Sequence, residues 1–304
     1  MAAAASGGNA VNSDVLEVMR ERLPSLSTAE QRVATAILQS PSLVLDNTIT
    51  ELAEVCETSP ATVARLCQRL DFSGYRELRV KVAAATSREQ AELDRFQLSD
   101  SEIDPAESLS EVAAKIAYQE TRAINDTTQS LDFDTLEKVV AVMTQAPLID
   151  IYGFSTSGLT GLDLQQKLRR IGLSVNCWTD VHLALPSAAV LHPGSVAIAI
   201  SHSGVTLEAI QAIETAHAAG ATTVVITNYP NSPLADRADF VLATRARENR
   251  FRSGAMSSRI AQLALVDVLF VRIAQDRYEQ TAQSLRLTYE SIQSHRVPYE
   301  RKNY

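Results

Sequence analysis

From residue 147 onward the chain alternates short β-rich runs with helical periods, and no other feature limits its fold as much. The runs are 148–152, 174–177, 195–200, 222–227 and 240–243, and helical spacing fills intervals such as 160–171 and 207–219. Strand, helix, strand at this rhythm means βαβ units, hence a parallel sheet with helices on both faces. Ala, Val, Leu and Ile make up much of the 45% apolar fraction, which suits strands buried on both sides. The expectation is an α/β doubly wound parallel-sheet domain, closed by a long helix over 255–274 and a C-terminal helix to about residue 294.

Before residue 147 the grammar is helical. Ser27 or Thr28 caps a helix over 29–39, and Pro41 opens a short one. Thr48 or Thr50 starts another, with Ile49, Leu52, Ala53 and Cys56 on one face. Ser59-Pro60 is a strong helix start, because Ser caps and Pro suits the first turn; that helix runs to about residue 70. Gly74 punctuates, and an amphipathic helix carrying Leu78, Val82 and Ala85 follows. The acidic stretch LSDSEIDPAESL, with its Ser and Pro, reads as a linker. Two helices then follow, over 107–130 and 132–145. The expected division is a disordered tail over 1–13, an all-α domain over 14–97, a linker over 98–110 and the α/β domain over 111–304.

The formal net charge of −8 argues against nucleic acid as a partner, but the charge is unevenly spread. Residues 14–64 hold three basic and eight acidic side chains, whereas 65–88 hold six basic and two acidic, a local net of +4. Such a patch fits either DNA or a solvated helix face. Three cysteines, odd in number and without metal-ligand spacing, point to no disulfide framework and fit a reducing cytosol. The start, MAAAASGGNAVNS, lacks the basic and apolar regions of a signal peptide. No apolar run reaches the ~18 residues a membrane span needs. The expected compartment is the cytoplasm, with no membrane partner, no cofactor and no metal.

Within the helical half, ITELAEVCETSPATVARLCQRL has helix-turn-helix spacing. Ala53 is small where two helices cross tightly, and Leu52, Val63 and Leu66 fill the wedge. Ala61, Thr62, Arg65, Gln68 and Arg69 then face outward, where a recognition helix meets base edges and phosphates. A helical hairpin without nucleic acid has the same spacing. The run LDFSGYRELRVKVAA, downstream, resembles the phrase that follows the recognition helix in RpiR-type regulators, with Phe72, Gly74, Tyr75 and Leu78 matching. The resemblance implies operator DNA as partner and Ser59, Ala61, Thr62, Arg65, Gln68, Arg69, Tyr75 and Arg76 as its contacts. One departure stands in the turn, where that family has Gly and an apolar residue and this chain has Glu57 and Thr58. A left-handed residue at Glu57 would carry ~1–2 kcal/mol of strain.

In the α/β half, IDIYGFSTSG (149–158) and AIAISHSGVTLEAI (197–210) each place a Gly/Ser/Thr loop at a strand end before a helix. Ligands of open α/β sheets sit outside the carboxyl ends of the strands, and helix N-termini offer free N–H groups to anions. Turn-making alone also explains either loop. The pair resembles the SIS (sugar isomerase) domain, a flavodoxin/Rossmann-like fold. Ser201, Ser203, Gly204, Thr206 and Glu208 match its second loop; Gly153 and Ser157 match its first, with Ser155 in place of a second Gly. The stretch 250–270 is similar to a hallmark of RpiR-type regulators. The resemblance implies phosphosugar binding by Ser157, Ser201, Ser203 and Thr206. Ser155 and His202, by their places in the loops, and Glu248, where SIS enzymes often have an acid, are further candidate ligand contacts, with Arg252 pairing with Glu248 or reaching the ligand. His182, His192, His217 and His295 show no ligand spacing and read as structural, as do Trp178 and the cysteines.

The function these resemblances imply is a regulator of sugar catabolism, dimeric or tetrameric, whose operator affinity follows a bound phosphosugar, with no catalytic residues. The alternative is an aldose–ketose phosphosugar isomerase. That chemistry needs a base to move a proton between adjacent carbons. Glu248 is the candidate base, but the helical half then has no role.

Overall fold

The computed structural model describes residues 15–100, 103–248 and 256–295. The proposed tail over 1–13, Arg252 and the start of the 250–270 stretch lie outside these residues. The chain divides into two compact units, residues 1–118 and 119–304.

The first unit is helical. Helices α1 (Val15–Arg22), α2 (Thr28–Gln39), α3 (Ser42–Asp46), α4 (Ile49–Val55), α5 (Pro60–Arg69) and α6 (Tyr75–Arg95) enclose one core. Leu16, Met19, Val33, Ile37, Leu52, Val63, Leu66, Leu78 and Val82 meet in it. The helix starts are written locally. Thr48 and Glu51 form a capping box at α4, and Ser59 Oγ accepts the Thr62 N–H at α5 with Pro60 in the first turn. In the segment read as a linker, Leu98 is buried with Leu93 and Tyr118, and Lys115 Nζ pairs with Asp100 (2.7 Å) and Glu107. Helix α7 (Leu109–Gln129) runs through the division between the units.

The second unit is a five-stranded sheet in the order β2-β1-β3-β4-β5, parallel at every pairing. Its strands are β1 (Ile149–Gly153), β2 (Val175–Trp178), β3 (Val196–Ile200), β4 (Thr222–Thr227) and β5 (Phe240–Ala243). Between them run α9 (Thr156–Arg170), α10 (Val181–Ala189) and α11 (Leu207–Ala218); α8 (Phe133–Gln145) precedes the sheet, and α12 (Met256–Asp276) and α13 (Tyr278–Ser291) follow it. Strand parity splits the core. Ile149, Ile151, Ile198 and Ile200 face α8, α9 and α12 with Leu164, Val140 and Leu265. Tyr152, Ala197 and Ala199 face the alanine-rich sides of α10 and α11. Small residues on both surfaces let these helices lie close to the sheet.

Helix α10 is absent from the sequence reading. Pro186 lies within it, and a nine-residue helix gives a weak period. Asp180, whose carboxylate accepts the His182 and Leu183 N–H groups, is the start signal that marks it.

Candidate functional site

In the first unit, α4 and α5 cross where Ala53 is buried, and the turn between them is a Schellman motif. Thr58 N–H bonds the Ala53 carbonyl at 2.8 Å and Glu57 N–H bonds that of Glu54 at 3.0 Å. The motif needs a left-handed residue, and Glu57 is that residue, at φ 50°. Arg32 Nη2 donates to the Glu57 carbonyl at 3.0 Å and braces the strained turn from α2. Glu57→Gly should therefore stabilise this unit by ~0.5–1 kcal/mol, the relieved strain less the chain entropy that glycine adds. Chemical denaturation followed by circular dichroism measures it; an unchanged or lowered midpoint would show the turn to be unstrained.

Helix α5 exposes one stripe and buries the other. Ala61, Arg65, Gln68 and Arg69 are exposed, at spacings of four, three and one, while Val63, Leu66, Cys67 and Leu70 are buried. Burial and loss of hydration push the Cys67 thiol up to about 11, so it stays a neutral core group. Arg76 is exposed in the first turn of α6. Two expected contacts are placed otherwise. Thr62 is 4% exposed rather than outward-facing, its hydroxyl bonded to Ser59 Oγ (3.0 Å) and to Arg65 Nη2 (3.1 Å). It sits three residues after the cap, where its side chain closes the first turn. Tyr75 is half-buried, and its hydroxyl donates to the Asn47 (3.0 Å) and Val44 (3.3 Å) carbonyls, so it fastens α6 to α3. Arg69 lies close enough to Glu30 to help hold that carboxyl below its usual range, behind the stronger effect of the Ser27 backbone bond.

In the second unit the crossovers leaving β1 and β3 run in opposite directions along the sheet, so the gap between these strands is the topological switch point. Both Gly/Ser/Thr loops open there, from the paired residues Gly153 and Ile200. The first loop is drawn tight. A Cβ on Gly153 would lie 2.7 Å from the Ser157 carbonyl oxygen, and one on Gly158 would lie 2.8 Å from that of Gly153. Ser155, exposed at the N-cap of α9, has φ 53° and ψ −128°, a conformation glycine adopts readily. That explains the family's second Gly here, and Ser155 stores ~1–3 kcal/mol in its place. Ser157 is half-buried in the first turn of α9.

The second loop is organised around Ser201, which is 3% exposed. Its Oγ accepts the Gly204 N–H at 3.2 Å and lies 3.0 Å from Thr206 Oγ1. Ser203 Oγ accepts the Val205 N–H at 3.4 Å. Thr206 is the N-cap of α11, though its hydroxyl does not cap. His202 stacks edge-on against Tyr229, at 5.7 Å between ring centres, and its carbonyl takes bonds from Thr227 Oγ1 and the Asn228 N–H. Glu248 accepts the Ser258 N–H at 2.8 Å and so fixes the start of α12. Helices α9 and α12 run side by side in the same direction, joined by Thr160–Gln262 (3.1 Å) and by Lys167–Asp267. Glu248 therefore stands at the same edge of the sheet as the loops. Neither loop presents a cation; what they offer an anion is hydroxyls and helix-start N–H groups.

Asp150 escaped the sequence reading. It is fully buried in β1 and accepts from Asn176 Nδ2 (3.0 Å), Trp178 Nε1 (2.9 Å), Tyr152 Oη (3.2 Å) and Ser187 Oγ. Trp178 is thus a hydrogen-bond donor as well as packing.

Comparison with known proteins agrees with both halves. Residues 13–89 match the helix-turn-helix domain of the rpiR family, and residues 142–272 match the SIS domain. An HTH-type transcriptional regulator of Caldanaerobacter subterraneus subsp. tengcongensis is 37% identical over 285 residues, spanning 94% of this chain and 99% of that relative. The NanR protein of Vibrio vulnificus, solved in complex with ManNAc-6P, is 28% identical, with a TM-score of 0.58 over 93% of this chain and 100% of its own. The sugar isomerase domain of an RpiR transcription factor from Sphaerobacter thermophilus shares the α/β fold at 20% identity, with a TM-score of 0.54 over 59% of this chain and 99% of its own. Its two matched domains and its regulator relative together place this chain in the rpiR family of helix-turn-helix transcriptional regulators that carry a SIS domain.

Proposed function

We propose that the second unit senses a phosphosugar and that the sensed ligand sets the affinity of the first unit for operator DNA. The observation that carries this is the pair of hydroxyl-bearing loops opening from adjacent strands at the switch point; on this reading Ser157, Ser201, Ser203 and Thr206 contact the phosphate. Ser155, His202 and Glu248 line the sugar side. NanR, solved with an amino-sugar phosphate, supports the ligand class. The DNA-reading domain spans 14–97 and the sensor 111–304, joined by 98–110. Ala61, Arg65, Gln68, Arg69 and Arg76 face DNA, and Ser59 presents the start of α5 to it; Thr62 and Tyr75 act behind them by fixing helix positions. The chain works in the cytoplasm as a homodimer or homotetramer, whose two-fold axis sets the spacing of two operator half-sites. It does no catalysis. The acid best placed to serve as an isomerase base, Glu248, is occupied by the start of α12, and the regulator names of the relatives favour the same reading. A dimer geometry favoured by the ligand shifts operator affinity through a coupling of ~1–3 kcal/mol.

Thermal melting of the full chain against pentose, hexose and amino-sugar phosphates tests the reading. A phosphosugar at 100 times its dissociation constant adds ~2.7 kcal/mol to the unit that binds it, a shift that the dephosphorylated sugar does not give. No shift across the panel would leave the second unit without a phosphosugar and defeat the proposal.

A further inference from the structure

We propose that Asp150 is a positioning residue for the first phosphate loop, acting through Tyr152 and Trp178 on the two walls that enclose it; this rests on the phosphosugar reading above. Asp150 lies on the α10/α11 side of β1 and is 0% exposed. Among the described residues its four hydrogen-bond partners are neutral donors: Tyr152, Asn176, Trp178 and Ser187. A buried carboxylate without a cation needs such a shell, and each donor is thereby held in one orientation. Burial, reinforced by Asp150, pushes the Tyr152 phenol far above its usual range, so it remains a donor. Burial first and Asp150 second push the Cys177 thiol up to about 11.

The donors differ in where they lead. Tyr152 is directly followed by Gly153, where the loop begins. Trp178 is directly followed by Thr179, whose Cγ2 lies 2.9 Å from where a Cβ on Gly158 would be, against the first turn of α9. The loop is thus closed between Gly153 on one side and Thr179 on the other, and Asp150 holds the residue beside each wall. Ser187 donates from the second half of α10 and belongs to neither wall. Asn176 ties β2 to β1 two residues further back. The strained Ser155 needs such support, because an outlying backbone angle persists only where its surroundings determine it.

Equal losses at unequal places test this. Trp178→Phe and Ser187→Ala each remove one donor from Asp150. Calorimetric titration of the full chain with ribose 5-phosphate, glucose 6-phosphate and N-acetylmannosamine 6-phosphate reads the affinity, and thermal melting reads the fold. Trp178→Phe should weaken the tightest of the three about tenfold, and Ser187→Ala should leave it within about twofold even where both variants melt alike. Trp178 is the one tryptophan of the chain, so its emission in the unmodified protein should also respond to that compound. Asp150→Asn adds a second check where it folds: its affinity falls with that of Trp178→Phe. Equal affinities for both single variants, or a loss that tracks melting in both, would make Asp150 a plain core group and overturn the inference alone. Failure of the unmodified chain to bind any of the three would overturn the sensor reading, and this inference with it.

Discussion

Gly204→Val abolishes the response of operator binding to phosphosugar and leaves the underlying DNA affinity within about twofold. Two features of the second loop require this. Gly204 has φ +64°, and a Cβ there would lie 2.0 Å from Ser232 Oγ and 2.4 Å from Ser232 Cβ. Ser232 is buried, and Leu234 N–H bonds the Gly204 carbonyl at 3.0 Å, so nothing near the site gives way cheaply. The backbone must shift at the point where Gly204 N–H meets Ser201 Oγ, and the Ser201–Thr206 pair moves with it. Phosphate binding by neutral donors depends on their convergence, so a displaced loop should bind at least ~100-fold more weakly, ~2.7 kcal/mol. The Ser201→Ala, Ser203→Ala double variant removes two hydroxyls, together with the bonds they accept from the Gly204 and Val205 N–H groups, and should abolish the response as well. Gel-shift titrations of operator with and without phosphosugar measure both effects. A variant that still responds would place the ligand elsewhere, and one that also loses DNA binding would break the proposed division of labour.

The fold was legible where local chemistry declares it. Ser59-Pro60 marks a helix start by satisfying orphan N–H groups, and of the two candidates Thr48 and Thr50 it is Thr48 that caps α4, with Glu51 completing the box. The five apolar runs became five strands, because strands covered on both faces have little choice of composition. The two loops were legible for the same reason: close backbone approach requires Gly153, Gly158 and Gly204, and no other residue fits. Left-handed turns made by other residues were less so. At Glu57 and Asp71, both at positive φ, the Schellman bonds form without glycine, and the sequence pointed to the first as a question and not at all to the second.

What the sequence withheld depends on pairs distant in the chain. Asp150 reads as an awkward charge in a strand until Asn176, Trp178 and Ser187 are seen around it, and their separations of 26, 28 and 37 residues carry no period. Thr62 and Tyr75 misled for a related reason. A polar atom on a recognition helix or beside it looks available for DNA, but the Thr62 hydroxyl is taken by Ser59 and Arg65, and that of Tyr75 by two carbonyls. The residues left free to face outward form a narrower set than composition suggests, and that set defines what operator binding should feel.

Arg65→Ala should weaken operator binding by ~1–3 kcal/mol per half-site and flatten sequence preference at one base pair of each. Arg65 stands one turn after Ala61 on the exposed stripe of α5, with Gln68 next along it, and its Nη2 is steadied by Thr62 Oγ1 at 3.1 Å. A guanidinium already held in one orientation loses less freedom on bidentate contact with a guanine edge. Arg76→Ala should act differently. Arg76 is exposed at the start of α6, on a different helix from that stripe, and a phosphate contact is the role expected of it. Its loss should weaken operator and random DNA alike and lower the slope of log affinity against log salt by about one per half-site. The overall charge of −8 sharpens the contrast, since long-range attraction to DNA rests on the basic 65–88 segment rather than on the molecule as a whole. Fluorescence anisotropy on operator, single-base variants and random duplex, between about 50 and 200 mM salt, separates the two behaviours. If Arg65→Ala weakened all duplexes equally and Arg76→Ala changed sequence preference, the assignment of α5 as the base-reading helix would fall; if neither altered affinity, the whole exposed stripe would be excluded from the interface.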